Sequence, residues 1–200
     1  DFNLGDHATN EVGCSDCHST HSESGLVKPD PELCMDCHRD IMAKVNFPSR
    51  HPLREGKMQC SSCHAHHGSM MQNLKTHERL NDMCINCHGD KQGPFIFEHA
   101  PVAEDCTLCH DAHGTVAPSL LKQGEPFLCL QCHESHFHAG RMGLTEPKEI
   151  PATGQHSENP FGEAGWRMAY LTKCSQCHFM IHGTDNPSQT IPGLGKGIIR

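Results

Sequence analysis

Every one of the 14 cysteines belongs to a pair of the form Cys-x-x-Cys, and every pair is followed at once by histidine. The seven motifs are Cys14/Cys17/His18, Cys34/Cys37/His38, Cys60/Cys63/His64, Cys84/Cys87/His88, Cys106/Cys109/His110, Cys129/Cys132/His133 and Cys174/Cys177/His178. Two thiols at this spacing can add to the two vinyl groups along one porphyrin edge. The adjacent histidine is then held where it can bind the iron as proximal ligand, which makes CxxCH the signature of covalent c-type haem attachment. Competing chemistries fit worse. Zinc ribbons pair two Cys-x-x-Cys knuckles per ion, so an odd number leaves an orphan, and zinc does not ask for the following histidine. A disulfide framework would scatter its cysteines, and a thioredoxin-like site needs one pair in a βαβ setting. We read seven covalently attached haem c groups.

The 19 histidines minus seven proximal ones leave twelve, and internal repetition sorts them. Cys14, Cys60 and Cys106 recur at a spacing of 46, as do His21, His67 and His113. A further histidine precedes each of these motifs: His7, His51 and His99. The repeat is therefore histidine, CxxCHxxH, then a second CxxCH preceded by Leu33, Met83 or Leu128. A half-repeat with His156, Cys174 to His178 and His182 supplies the seventh site. Candidate distal iron ligands are thus His7, His21, His51, His67, His99, His113, His156 and His182, one more than seven irons need. The spare is either idle or reaches a haem in a neighbouring chain. His66, His77, His136 and His138 have no repeated counterpart and read as surface or propionate-contacting residues, the last two being the nearest to exceptions. None of the nine methionines recurs at an equivalent place, so gap-filling against porphyrin is their expected role.

The elements that must hold these residues are short. Thirteen prolines punctuate the chain, which leaves brief helical turns around each CxxCH joined by coil. The expected fold is a multihaem cytochrome c, mostly coil with short α-helices wrapped around a haem chain and little or no β-sheet. It is read as a single domain, residues 1–200, built of repeats 7–50, 51–98 and 99–138 and a half-unit 156–183, with a long surface loop at 139–158. One longer helix is predicted over 160–182, capped by Asn159, opened by Pro160 and closed by Gly183, which would set His178 and His182 one turn apart. Only 36% of residues are hydrophobic and 5% aromatic, too few for a conventional core, so porphyrin faces are expected to supply it.

Composition also limits partners. A formal charge of −8 argues against nucleic acid. No run approaches the roughly 20 apolar residues of a membrane helix. The chain opens on Asp1 without a start methionine or an apolar leader, so a mature product exported from the cytoplasm is expected. A bis-His ferric haem with ionised propionates carries about −1 and its ferrous form about −2, so the loaded protein would run from roughly −15 to roughly −22, and basic partners or cations would favour its reduced form.

Two axial imidazoles leave an iron able to exchange electrons but closed to small ligands, so electron transfer is the expected function and catalysis is not. The alternation of histidine approach, CxxCHxxHG and second CxxCH, the approach segments HPLREGKMQC and HAPVAEDC, and the tail RMAYLTKCSQCHFMIHGTDNPS resemble the MtrA/DmsE type of decahaem cytochromes. That resemblance implies a periplasmic or outer-membrane electron conduit threaded into a porin-like barrel and passing electrons to other multihaem cytochromes. Seven sites in place of ten would make a shorter wire. Two other readings compete: a subunit of an extracellular cytochrome filament with stacked end haems, and a multihaem reductase with one open iron.

Overall fold

The computed structural model describes residues 2–69, 73–75, 79–133, 148–150, 155–157, 173–176 and 178–186. Each CxxCH forms one helical turn. The backbone N–H of the motif histidine donates to the carbonyl of the first motif cysteine in all seven: His18 to Cys14 at 2.8 Å, His38 to Cys34 at 3.0 Å, His64 to Cys60 at 2.9 Å, His88 to Cys84 at 3.0 Å, His110 to Cys106 at 3.1 Å, His133 to Cys129 at 2.9 Å and His178 to Cys174 at 2.8 Å. A turn of this kind sets residues i and i+3 on one face, which brings the two thiols of a motif to one side. Described α-helices are α1 (Asp6–Thr9), α2 (Cys14–Cys17), α3 (Glu32–Met35), α4 (Arg39–Lys44), α5 (Leu80–Ile85) and α6 (Ala100–Glu104). Motifs outside them enter on 3-10 turns at Cys60–Ser62, Cys106–Leu108, Cys129–Gln131 and Cys174–Gln176. Mostly coil with short helices is therefore the observed fold.

After the first motif of each repeat the chain turns back on itself. His18 bridges Leu26, His64 bridges Leu74 and His110 bridges Leu121. A second set of bridges links the segment entering one repeat with the segment leaving the next repeat's CxxCHxxH: Ser49 with Thr115, and Phe97 with Thr184. Gly5 makes the matching approach at the first repeat, where a Cβ would stand 3.4 Å from the Cα of Gly68. The repeat seen in the sequence is thus a repeat of backbone pairing.

Contacts group the chain into two compact units: residues 1–92 with 100–122, and residues 93–99 with 123–200. The first holds the motifs beginning at Cys14, Cys34, Cys60, Cys84 and Cys106; the second holds those at Cys129 and Cys174. The boundary passes through the third repeat. Two three-residue strands, β1 (Lys148–Ile150) and β2 (Gln155–Ser157), pair antiparallel with Glu149 opposite His156, inside the stretch read from its glycines and prolines as a long loop. The predicted 160–182 helix lies outside the described residues over 160–172. At its described end the chain departs from that expectation: Cys174–Gln176 is a 3-10 turn, residues 178–180 are not helical, and Thr184 is drawn into an extended bridge with Phe97. Gly183 does not close a helix; its φ of 122° carries the chain past the Phe95 ring, which a Cβ at that position would strike.

Among the described residues the buried hydrophobic side chains are Val45 and Leu53, while Ile96, Val116 and Phe127 are exposed at 74%, 72% and 57%. Among these residues peptide packing alone gives very little core.

Candidate haem-attachment and iron-ligating centres

Among the described residues, five pairs of imidazole rings each unite a motif histidine with a histidine outside the motifs. His18 faces His67 with ring centres 5.8 Å apart, His38 faces His7 at 6.2 Å, His64 faces His113 at 6.0 Å, His88 faces His51 at 6.1 Å and His133 faces His99 at 5.9 Å. An imidazole nitrogen sits about 2 Å from a first-row metal ion, so two rings on opposite sides of one iron have centres roughly 6 Å apart. All five pairs fit an iron between them. The register is regular. A leading histidine (His7, His51, His99) faces the second motif of its own repeat, and the last histidine of CxxCHxxH (His67, His113) faces the first motif of the preceding repeat.

Hydrogen bonds at Nδ1 hold several imidazole rings. Nδ1 of His7 meets the His66 carbonyl at 3.1 Å, that of His51 the Ala112 carbonyl at 2.8 Å, and that of His99 the Ile181 carbonyl at 3.1 Å. Every one of these carbonyls belongs to the residue just before the corresponding His67, His113 or His182. Nδ1 of the motif histidines His18 and His110 meets the carbonyls of Gly25 at 3.0 Å and Ser119 at 2.8 Å. When Nδ1–H donates to a carbonyl, Nε2 carries the lone pair, which is the tautomer a metal requires. Burial first, and then the facing His113, hold His64 below the ordinary histidine range; burial and the facing His133 do the same for His99. Neutral imidazole is the ligating form.

The attachment cysteines of successive repeats also meet. A carboxylate oxygen of Asp30 and the sulphurs of Cys34 and Cys60 all lie within 4.8 Å of one another, as do those of Glu125, Cys129 and Cys174. Such clusters could in isolation hold a metal ion, but each cysteine is half of a CxxCH pair and each carboxylate is already engaged. Asp30 accepts from the N–H groups of Cys60 at 2.8 Å and Ser61 at 2.9 Å, and Glu125 from the N–H of Ser175 at 2.7 Å and its hydroxyl at 2.8 Å. In the middle repeat Asn81 takes this place: its Oδ1 accepts from the Cys106 N–H at 2.8 Å while its Nδ2 donates to the Val102 carbonyl at 3.0 Å. Burial, then the neighbouring Cys106, pushes the Cys84 thiol up to about 12.

The two cysteines of a motif have different surroundings. Cys37, Cys87, Cys109 and Cys132, each the second cysteine of its motif, lie outside both carboxylate–thiol clusters, which take only first cysteines. The reason is the turn itself. Each second cysteine sits at its far end, with its N–H on the carbonyl of the first: Cys37 on Cys34 at 3.4 Å, Cys87 on Cys84 at 3.2 Å, Cys109 on Cys106 at 3.3 Å and Cys132 on Cys129 at 3.2 Å. The surroundings of these four differ in turn. Cys37, Cys87 and Cys132, from second motifs, are exposed, whereas Cys109 is half-buried with Cys17 and Cys63, from first motifs. Carbonyls of those three accept from the returning chain: Cys17 from Val27 at 3.0 Å, Cys63 from Lys75 at 2.8 Å and Cys109 from Lys122 at 2.8 Å. Burial and then the nearby Cys87 raise the Cys63 thiol; at Cys17 burial and Asp16 lead, followed by Cys34 and Cys37. Second cysteines of one repeat are thus close enough to feel each other.

The remaining candidates divide as follows. His21 is exposed, its backbone N–H donates to the Ser19 hydroxyl at 3.2 Å, and it has no ring partner among the described residues. His66 contributes its carbonyl to His7, and its ring stands edge-on to His67. His182 follows the carbonyl that receives His99. His77, His136, His138 and Cys177 lie outside the described residues, and of His156 only the backbone, in β2, is described. Sequence reasoning missed Asp30, Asn81 and Glu125. Their signal was a polar residue three or four places before the second motif of each repeat, easily read as an ordinary surface turn.

Comparison with known proteins agrees with this construction. The family model described as the doubled CXXCH motif matches residues 7–43, 51–93 and 99–138, one match for each full repeat. The chain is 37% identical over 190 residues, 94% of its length, to the multiheme cytochrome MtrA of Shewanella baltica (strain OS185). It spans about half the length of that relative, 54%. The motif turns that set cysteines beside a histidine, and the facing imidazoles, are what covalent haem needs from a polypeptide, so the chain belongs to the doubled-CXXCH family of multihaem c-type cytochromes and is similar to MtrA.

Proposed function

We propose that the protein carries seven haem c groups, one on each CxxCH, and passes electrons along them as a conduit between other multihaem redox proteins. Each haem iron, when bound, stores and releases one electron. The observation that carries the reading is the set of five facing imidazole pairs, each with a motif histidine on one side. His18 with His67, His38 with His7, His64 with His113, His88 with His51 and His133 with His99 are assigned as axial pairs. His110 and His178 are assigned as the proximal ligands of the fifth and seventh sites, with His182 and His156 as the repeat's remaining distal candidates. Thioether bonds are assigned to both cysteines of every motif, the exposed Cys37, Cys87 and Cys132 included.

The chain's own contribution is to close both axial positions, to select the ligating tautomer, and to set neighbouring attachment edges side by side. Cys34 against Cys60 and Cys129 against Cys174 join the second site of one repeat to the first site of the next. With both faces of iron occupied there is no position for an external substrate, which favours a carrier over a reductase. Covalent haem attachment and the likeness to MtrA support a place outside the cytoplasm, in the periplasm or at the outer membrane, with a porin-like barrel as a candidate housing.

Seven haems per chain by intact mass, all low-spin by electron paramagnetic resonance, is the expected result. A lower count, or a high-spin haem that binds carbon monoxide, would overturn the closed-wire reading. A filament of stacked copies is a second reading, favoured by one observation: His21 holds the register position of His67 and His113 yet faces no motif histidine among the described residues. Light scattering of the native protein separates the two, since a filament grows with concentration and a conduit does not.

A further inference from the structure

We propose that the side chain clamping each junction between repeats sets the reduction potential of the two haem sites meeting there, Asp30 and Glu125 making their pairs harder to reduce than the pair clamped by Asn81. The inference rests on the reading of the paired cysteines as haem attachment points.

Three junctions are built alike. In each, a side chain from just before the second motif of one repeat accepts a backbone N–H at the start of the next repeat's first motif: Cys60 and Ser61 for Asp30, Cys106 for Asn81, Ser175 for Glu125. Capping is therefore common to all three, and an amide oxygen does it as well as a carboxylate. Charge is what differs. Among the described residues, the Asp30 and Glu125 junctions bring a carboxylate oxygen within 4.8 Å of two attachment sulphurs belonging to different motifs. At the middle junction the corresponding atoms belong to a neutral amide. Asp105 is also felt at Cys84, behind burial and the neighbouring cysteines; it accepts from the Thr107 N–H at 2.7 Å and hydroxyl at 2.8 Å, and among the described residues it forms no such cluster with Cys84 and Cys106.

Reduction of each site from ferric to ferrous adds one electron and lowers its charge by one. A fixed anion against the attachment edge opposes that gain, and more strongly where water is excluded. Although burial alone would raise the Asp30 carboxyl, the N–H groups of Ser61 and Cys60 bring it below the ordinary carboxylate range, so the charge persists at neutral pH. Electrons entering the wire should then rest longest at the fourth and fifth sites, with the second and third and the sixth and seventh as steps of lower potential on either side.

The test is a pair of reciprocal substitutions in the haem-loaded protein, followed by potentiometric titration in visible absorption and electron paramagnetic resonance. Asp30→Asn should raise the midpoints of two haems, and Asn81→Asp should lower those of two others, each on the order of tenfold in the reduction equilibrium, about 59 mV for one electron. Asp30→Glu, which keeps the charge, should leave the midpoints where they are. Asn81→Asp keeps the capping oxygen and so remains informative if Asp30→Asn fails to fold. Unmoved midpoints in chains that still carry all their haems would overturn the inference alone, whereas absence of thioether-linked haem at these cysteines would sink the functional reading beneath it.

Discussion

His66 and His67 are neighbours with different work. The His67 ring faces His18, whereas His66 offers its carbonyl to His7. Replacing His67 with alanine should therefore open the iron of the first site. One haem of the set should turn high-spin and bind carbon monoxide, read as a new charge-transfer band and a shifted Soret peak. His66→Ala should leave every haem low-spin, because a backbone carbonyl survives the substitution. His51→Ala should open the fourth site in the same way, with the third unaffected. Repetition at 46 residues nominated His67 as a distal ligand from sequence, and the histidine ahead of each first motif nominated His51. Neither could say that one donates to the preceding repeat and the other to its own, because that choice depends on how repeats dock and not on spacing along the chain. The same limit hid the unequal surroundings of Cys34 and Cys37, which the motif alone presents as a matched pair.

Docking between elements is governed by the glycine that follows the distal histidine. Gly114 has φ +151°, and a Cβ there would fall on the Lys44 carbonyl at the end of α4. Gly114→Ala should destabilise the holoprotein by more than about 1 kcal/mol, seen as a lower melting temperature, with loss of the low-spin signal of the third site if His113 is displaced. The junction carboxylates add a pH dependence. Asp30 is held below the ordinary range when folded, so its contribution is present above the unfolded carboxylate value of about 4 and disappears as pH falls through the folded value. The acid limb of a stability–pH curve should accordingly flatten in Asp30→Asn. At this scale the sequence was a partial guide. Motif turns and coil followed from CxxCH and the prolines, but the helix expected to run to Gly183 did not, since Thr184 is committed to a bridge with Phe97, a partner far away in the chain that no local propensity reveals. The β1–β2 pair inside a glycine- and proline-marked segment escaped for a related reason: three-residue strands leave almost no periodic trace.

At the scale of the molecule, Val45 and Leu53 are a slender core among the described residues to set against conformational entropy. On the proposed haem loading, stability comes from porphyrin burial and iron ligation, so chain made without haem attachment should give a disordered circular dichroism spectrum and be degraded rapidly, unlike the loaded form. The same balance was legible in the sequence as a shortage of apolar residues, whereas the grouping of contacts into two compact units, with the break inside the third repeat, had no counterpart in composition or spacing. The direction in which His67 and His113 reach back carries a temporal consequence. On the proposed ligation, a polypeptide emerging amino end first presents His18 long before His67, so each first-of-repeat centre waits, half-dressed, for the following segment to arrive. Synthesis interrupted between repeats would leave a chain whose last such centre is reactive toward oxygen or peroxide, and quality control that senses that reactivity would need to inspect only the trailing end.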